Sequence, residues 1–392
     1  MNLIFRLVLG IVVGIMLGQW APDSLIRALL TFKVLFGELL EYSIPLIILF
    51  FIMSGIARLE RSSGRLLALT IALAYASTTL AGLMSAIVGL ELVPHIVHHG
   101  QLPASQAVVL FPYFTLDIPP LTDISTALVT AFLFGIGISA TAHEGMRNLA
   151  DGGRDIVERF IAKALIPALP FYIAGLFCEM TIAGTVANTL KSFGMILVLA
   201  LALHWLWLTF LYVASGMSTG RAPMQALRHM LPAYFTAAGT MSSAATIPVT
   251  VRQCRMNHIS PSVASFAIPL LATIHMCGSA ITLTICAIGV MLVMPALPAP
   301  DLMTLLPFIA ALGVTIIAAP GSPGGAAMTS VGILQSVLGF DVAAVGLMMA
   351  LYLAQDSFGT ACNVTGDGAL VQWIDRFSEA EQDRQRYQSR DE

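Results

Sequence analysis

The stretch Asp356-Ser-Phe-Gly-Thr-Ala-Cys-Asn363-Val-Thr-Gly-Asp367 sets two carboxylates, an amide and a hydroxyl inside one of the most apolar parts of a chain that is apolar nearly everywhere. At about 100° per residue, Asp356, Thr360, Asn363 and Asp367 fall within roughly 60° of one another on a helix. They form one polar stripe on one face. Charge at membrane depth is costly, so such side chains face a bundle interior or a wet cavity and mark an ion or substrate path. The structural alternative is a polar seam that glues helices together.

Composition places the rest of the chain in a membrane. Of its 392 residues 57% are hydrophobic and only 10% charged, against about 25% charged in soluble domains. Several apolar runs reach the roughly 20 residues that cross a bilayer. A soluble enzyme is excluded, and no Ser/His/Asp set or metal cluster stands at a credible spacing. The formal net charge of −3 offers nothing to a nucleic acid. Cys178, Cys254, Cys277, Cys286 and Cys362 sit mostly within apolar segments and read as small hydrophobes. Residues 1–20 carry an early Arg6 and an apolar run but no clear cleavage site, and read as a retained first span.

The positive charges set the topology. No Lys or Arg lies between Arg65 and Arg147 or between Arg255 and Arg376. If basic residues mark cytoplasmic loops, both termini are cytoplasmic and the number of full crossings is even. Eight spans are expected, at 4–20, 32–57, 66–93, 122–142, 155–178, 192–216, 261–292 and 341–374. Two stretches do not fit as spans. Residues 225–255 start and end among basic residues around Gly239-Thr-Met-Ser-Ser-Ala-Ala-Thr-Ile-Pro248, and 301–340 centre on Ala319-Pro-Gly-Ser-Pro-Gly-Gly325. Each reads as a re-entrant hairpin, since broken backbone at membrane depth is tolerated where it lines a cavity. The expected fold is therefore an all-α multispan membrane protein of eight transmembrane helices and two re-entrant hairpins.

The pattern Asp-x-x-x-Thr-x-x-Asn-Val-Thr-Gly-Asp, the serine-containing hairpin ending Ile247-Pro-Val-Thr250, and Pro269-Leu-Leu-Ala-Thr-Ile-His-Met-Cys-Gly-Ser279 resemble the glutamate-transporter fold family, the dicarboxylate/amino acid:cation symporters. The resemblance runs through the whole chain in order. It implies a homotrimer in the cell inner membrane, with a scaffold of residues 1–65 and 94–178. It also implies a transport domain of span 3 (66–93) and residues 192–374 that moves as an elevator, and leaves 375–392 as a cytoplasmic tail.

Site residues carry over one at a time. The resemblance implies that Asp356 receives a substrate amino group, that Thr360 and Asn363 contact the amino acid, and that Ser242, Ser243, Gly321, Pro323 and Gly324 at the hairpin tips cradle its α-carboxylate. Helix N-termini suit that anion, although Ser242 and Ser243 also read as an ordinary helix-cap pair. Acidic-substrate members place an arginine where this chain has Gly359, or ahead of the hairpin serines where it has Met241. With no Lys or Arg from 256 to 375, a second substrate carboxylate would be buried unpaired. A small neutral amino acid is expected, with Gly359 leaving room for its side chain; a dicarboxylate or acidic amino acid is the alternative, and an anion channel a weaker one.

On the cation side, the resemblance implies two sodium sites. Asp367 serves one with carbonyls near Asn363 and His275, and Thr273, Met276 and second-hairpin carbonyls serve the other. In a third family site Tyr75, Thr78 and Thr79 remain, but His275 and Cys277 replace an asparagine and an aspartate, so that site is lost. His275 reads as a hydrogen-bonded core histidine, with proton coupling as its alternative. No cofactor is expected beyond the coupling ion. His95, His98 and His99 have metal-compatible spacing in a loop, the tail after Asp375 reads as solvated, and Trp20 and Trp373 as interfacial anchors.

Overall fold

A computed structural model gives the fold, and it describes residues 3–57, 64–97, 110–122, 124–141, 143–184, 186–294, 296–316, 319 and 324–388. Among these residues there are helices and no strands. The first six are α1 (Leu3–Trp20), α2 (Asp23–Ala57), α3 (Gly64–Ile96), α4 (Ile124–Thr141), α5 (Glu144–Phe160) and α6 (Ile166–Ile182), with a π-helical turn, Ile161–Leu165, between the last two. Next come α7 (Val186–Thr219), α8 (Pro223–Thr240), α9 (Ser243–Met256), α10 (Pro261–Ile274) and α11 (Cys277–Val293). The last three are α12 (Leu302–Thr315), α13 (Gly325–Leu338) and α14 (Val342–Gln388).

Among the described residues six helical stretches are long and apolar enough to cross a membrane: Asp23–Ser54, Leu66–Ile96, Glu144–Ile182, Thr189–Thr219, Pro261–Val293 and Val342–Ser378. The first and fourth expected spans are present as shorter apolar helices, Phe5–Trp20 and Val129–Thr141. The two segments set apart as hairpins each form a pair of helices packed on one another, α8 on α9 and α12 on α13.

Three expectations are corrected. The region 261–292 is not one continuous helix: it breaks at His275 and Met276, whose backbones are non-helical (φ −101°, ψ 108° and φ −130°, ψ 47°). Asp375 does not open a solvated tail. It is buried, where its carboxylate pairs with Arg221 Nη2 (2.6 Å) and accepts from Ser260 N–H (3.1 Å) and Oγ (2.7 Å). A buried carboxylate needs such partners, and these tie α14 to the start of α10. Finally, span 5 is preceded by an amphipathic helix, α5, set off from α6 by the π-turn.

Packing falls into two groups. In the first, α2 packs against α4, α5 and α6, and α1 against α6; in the second, α3, α7, α12, α13 and α14 all pack against α11, and α14 adds α8, α9 and α10. Every residue from Cys277 to Leu292 of α11 is buried, so the core of the second group lies on this helix. The groups meet where α13 packs on α2 and where Tyr172 Oη donates to the Val342 carbonyl (3.1 Å).

Candidate functional site

The polar stripe of α14 points inward. Asp356, Thr360, Asn363 and Asp367 are 4%, 7%, 3% and 1% exposed, so each polar atom must find a partner in the protein or in what the site binds. Asp356 Oδ2 accepts from the N–H of Gly324 (2.7 Å), the residue that leads into α13 with φ 78°. That conformation suits glycine. The carboxylate of Asp356 thus holds the start of α13, with the Tyr352 hydroxyl as a second hydrogen-bonding neighbour.

Asn363 works on the helix break. Its Oδ1 accepts from the N–H groups of Gly278 (2.7 Å) and Ser279 (3.2 Å), and its Nδ2 donates to Ser279 Oγ (3.0 Å). The amide of α14 therefore caps α11, whose first N–H groups have no partner within the helix. An amide nitrogen has two hydrogens, so one remains for an acceptor in the site. On the α3 side, Met276 N–H donates to Thr78 Oγ1 (3.2 Å). The break is thus held by side chains from two other helices.

His275 bridges the same two helices: Nδ1 lies 2.8 Å from Asp367 Oδ1 and Nε2 2.9 Å from Ser77 Oγ, with the residue 1% exposed. An ionised carboxylate only accepts, so Nδ1 donates to Asp367, and Nε2 shares its hydrogen bond with the Ser77 hydroxyl. His275 is thus buried and hydrogen-bonded on both ring nitrogens. Asp367 Oδ2 is buried without a hydrogen-bond partner among the described residues. An acceptor oxygen of that kind, beside the unpaired last carbonyls of α10, offers hard ligands to a small cation.

The other expected residues are spread around this centre. Thr273 is exposed and donates to the Leu270 carbonyl (2.7 Å), and Met276 is buried. Cys277 is buried with its thiol 4.0 Å from the Cys362 carbonyl. Tyr75 and Thr79 meet α12, since a Cβ placed at Gly313 would lie 2.7 Å from Thr79 Oγ1 and 3.0 Å from Tyr75. Ser242 is the N-cap of α9, accepting from Ala245 N–H (3.3 Å), and Ser243 is buried in its first turn. Gly321 and Pro323, like His98 and His99, lie outside the described residues; His95 is exposed.

Gly359 does not face open space. A Cβ there would sit 3.6 Å from Thr282 Oγ1 and 3.7 Å from Gly278, and one on Gly278 would lie 2.4 Å from the Gly359 carbonyl oxygen. Gly359 therefore stands against α11, where it is Gly278 whose added Cβ would clash.

Sequence reading missed three partners. Ser279 takes the hydroxyls and amides of the centre, receiving Tyr352 Oη (3.1 Å) as well as Asn363. Tyr352 stands one turn before Asp356, so extending the stripe backwards would have found it. His204 of α7, fully buried, has Nε2 3.0 Å from both the Gly278 carbonyl and Thr282 Oγ1. A histidine inside an apolar run was its only signal.

A model of the sodium:dicarboxylate symporter family matches residues 3–377. The chain belongs to that family. Similar curated proteins include the serine/threonine transporter SstT of Acinetobacter baumannii strain AYE, 25% identical with 96% of each chain covered. That of Streptococcus suis strain 05ZYH33 is 28% identical over 73% of this chain and 82% of its own, and that of Bifidobacterium adolescentis 27% identical over 93% and 87%. As a member of the sodium:dicarboxylate symporter family, the chain is a multi-pass membrane transporter that couples its solute to a cation, and not an enzyme. Its solute partner is a small molecule and its setting the lipid bilayer.

Proposed function

We propose that the chain takes up a small neutral amino acid, of the size of serine or threonine, together with sodium across the cytoplasmic membrane. The observation that carries this reading is the absence of any Lys or Arg from 256 to 375 around a buried Asp356. An amino acid with a single carboxylate finds an amine partner in Asp356 and N–H or hydroxyl donors in Asn363, Thr360 and the tips at Ser242–Ser243 and 321–324. A second carboxylate would find neither guanidinium nor ammonium and would lose several kcal/mol. This separates the reading from the dicarboxylate in the family's name, and the names of the SstT relatives support it.

In this reading α8–α9 and α12–α13 are re-entrant hairpins, and α10–α11 together form one broken span. Asp367, with Asn363, Thr273, His275 and Met276, serves sodium. The α3 hydroxyls of Tyr75, Thr78 and Thr79 do not complete a further site, because His275 and Cys277 stand where carboxylate and amide oxygens would be needed. The two packing groups act as scaffold and transport domain of a homotrimer, with both termini cytoplasmic. The hard oxygen ligands around the break, the Asp367 carboxylate and the last carbonyls of α10, support sodium as the coupling ion, as does the family.

Ligand-induced thermal stabilisation of the purified protein tests this. L-serine or L-threonine raises Tm in sodium and not in choline, while L-glutamate, L-aspartate and succinate leave it unchanged. A sodium-dependent shift with an acidic ligand equal to that with serine contradicts the neutral assignment.

A further inference from the structure

Transport as described makes no use of the seam between α1 and α6. The two helices run side by side in the same direction. A Cβ built on Gly10 would lie 2.4 Å from the Pro170 carbonyl oxygen, on Gly14 2.3 Å from that of Ala174, and on Gly18 2.8 Å from that of Cys178. Each step of four along α1 matches a step of four along α6. The glycines let the backbones touch, and the larger residues beside them are pushed to the flank.

There Leu9 and Val13 of α1 and Pro167, Phe171 and Ala174 of α6 line a groove of ≈ 330 Å³, with Arg6 among its walls. Leu9 is 45%, Val13 38% and Phe171 61% exposed, so the apolar walls are open. The matched register sets Arg6 level with residue 166, and the exposed Lys163 stands one turn before Pro167. Both cations are therefore at the same end of the groove. Neither makes a hydrogen bond or ion pair with another described residue.

We propose that this groove holds an acyl chain of an anionic phospholipid whose phosphate lies between Arg6 and Lys163. An apolar trough suits a hydrocarbon chain, the contact seam and two prolines keep its walls preformed, and unpaired cations at one end supply the charge complement of a phosphodiester. A neutral apolar partner would leave both cations unused.

The test uses the purified full-length protein, with lipid binding followed by native mass spectrometry and by Tm in detergent. The probes are dioleoylphosphatidylglycerol, dioleoylphosphatidylcholine with the same chains, and glycerol phosphate without them. The expected result is tighter binding of phosphatidylglycerol than of phosphatidylcholine, with no shift from glycerol phosphate. The double variant Arg6→Gln/Lys163→Gln, altered only at exposed side chains, keeps its lipid-free Tm and loses the preference, by roughly five-fold per cation. Val13→Trp fills the trough and weakens both lipids. Equal binding of the two lipids by the unaltered protein, or a preference that survives the double variant, overturns the proposal. So does a glycerol phosphate shift as large as that of the lipid, or a Val13→Trp protein that changes oligomeric state while binding lipid as before, which would put a second copy in the groove.

Discussion

The two helical hairpins end in different ways. At the first tip the helix cap is local: α8 stops at Met241, whose backbone is left-handed (φ 51°), and Ser242 caps α9 with its own hydroxyl. At the second tip, the residue entering α13 is a glycine, Gly324, and its N–H is held by Asp356 from α14. Gly324 has no side chain with which to cap the helix it opens, and a carboxylate from α14 takes its N–H instead. That bond ties the second tip to the residue that the proposed function assigns to the substrate amine. An ammonium drawing on Asp356 alters what holds the start of α13, whereas the cap of α9 does not use that carboxylate.

The largest effect is expected from Asp356→Asn. Removing one partner of a buried charge contact costs about 3–5 kcal/mol, so uptake in proteoliposomes falls by two orders of magnitude or more. Hydrogen exchange then rises at the first amides of α13 and stays unchanged at those of α9. Equal acceleration at both tips would break the comparison. Next, Asp367→Asn lowers sodium and substrate affinity together, by a common factor of roughly 5–150; isothermal titration of each ligand at fixed levels of the other reads it, and a fall in one alone disproves the coupling. Gly278→Ala places a Cβ 2.4 Å from the Gly359 carbonyl, and such overpacking costs about 1–3 kcal/mol. Gly359→Ala, with its nearest neighbour at 3.6 Å, is tolerated. Their denaturation midpoints should differ in that order. The smallest effect is that of Ser242→Ala, about 1 kcal/mol for a lost N-cap, read as faster exchange in the first turn of α9. Acceleration in α13 as well would mean that the tips are mechanically linked.

The polar stripe was legible because helical periodicity alone brings four residues onto one face. The hairpin pairs were legible because Pro, Gly and Ser interrupt apolar runs. What sequence did not reveal is what meets the stripe. The break at His275 lies within an apolar run, and it persists because Asn363 and Thr78, remote in the chain, take its freed N–H groups. Asp375 sits among charges that read as a wet tail, and only the fold brings Arg221 to it. Gly359 was expected to make room for a substrate side chain, and its neighbours on α11, Gly278 and Thr282, could not be read from its own helix. In each case the deciding partner comes from another helix, and local pattern carries no register between helices.

The claim on which the rest depends is that the site takes a single carboxylate together with sodium. Uptake of labelled L-serine and L-threonine into proteoliposomes, with an inward sodium gradient and with excess succinate or L-glutamate as competitor, tests it most directly. The account predicts uptake that requires the sodium gradient and persists in the presence of either acidic competitor. Accumulation of succinate or glutamate that exceeds that of the neutral amino acids, or uptake driven equally by a proton gradient without sodium, would contradict it.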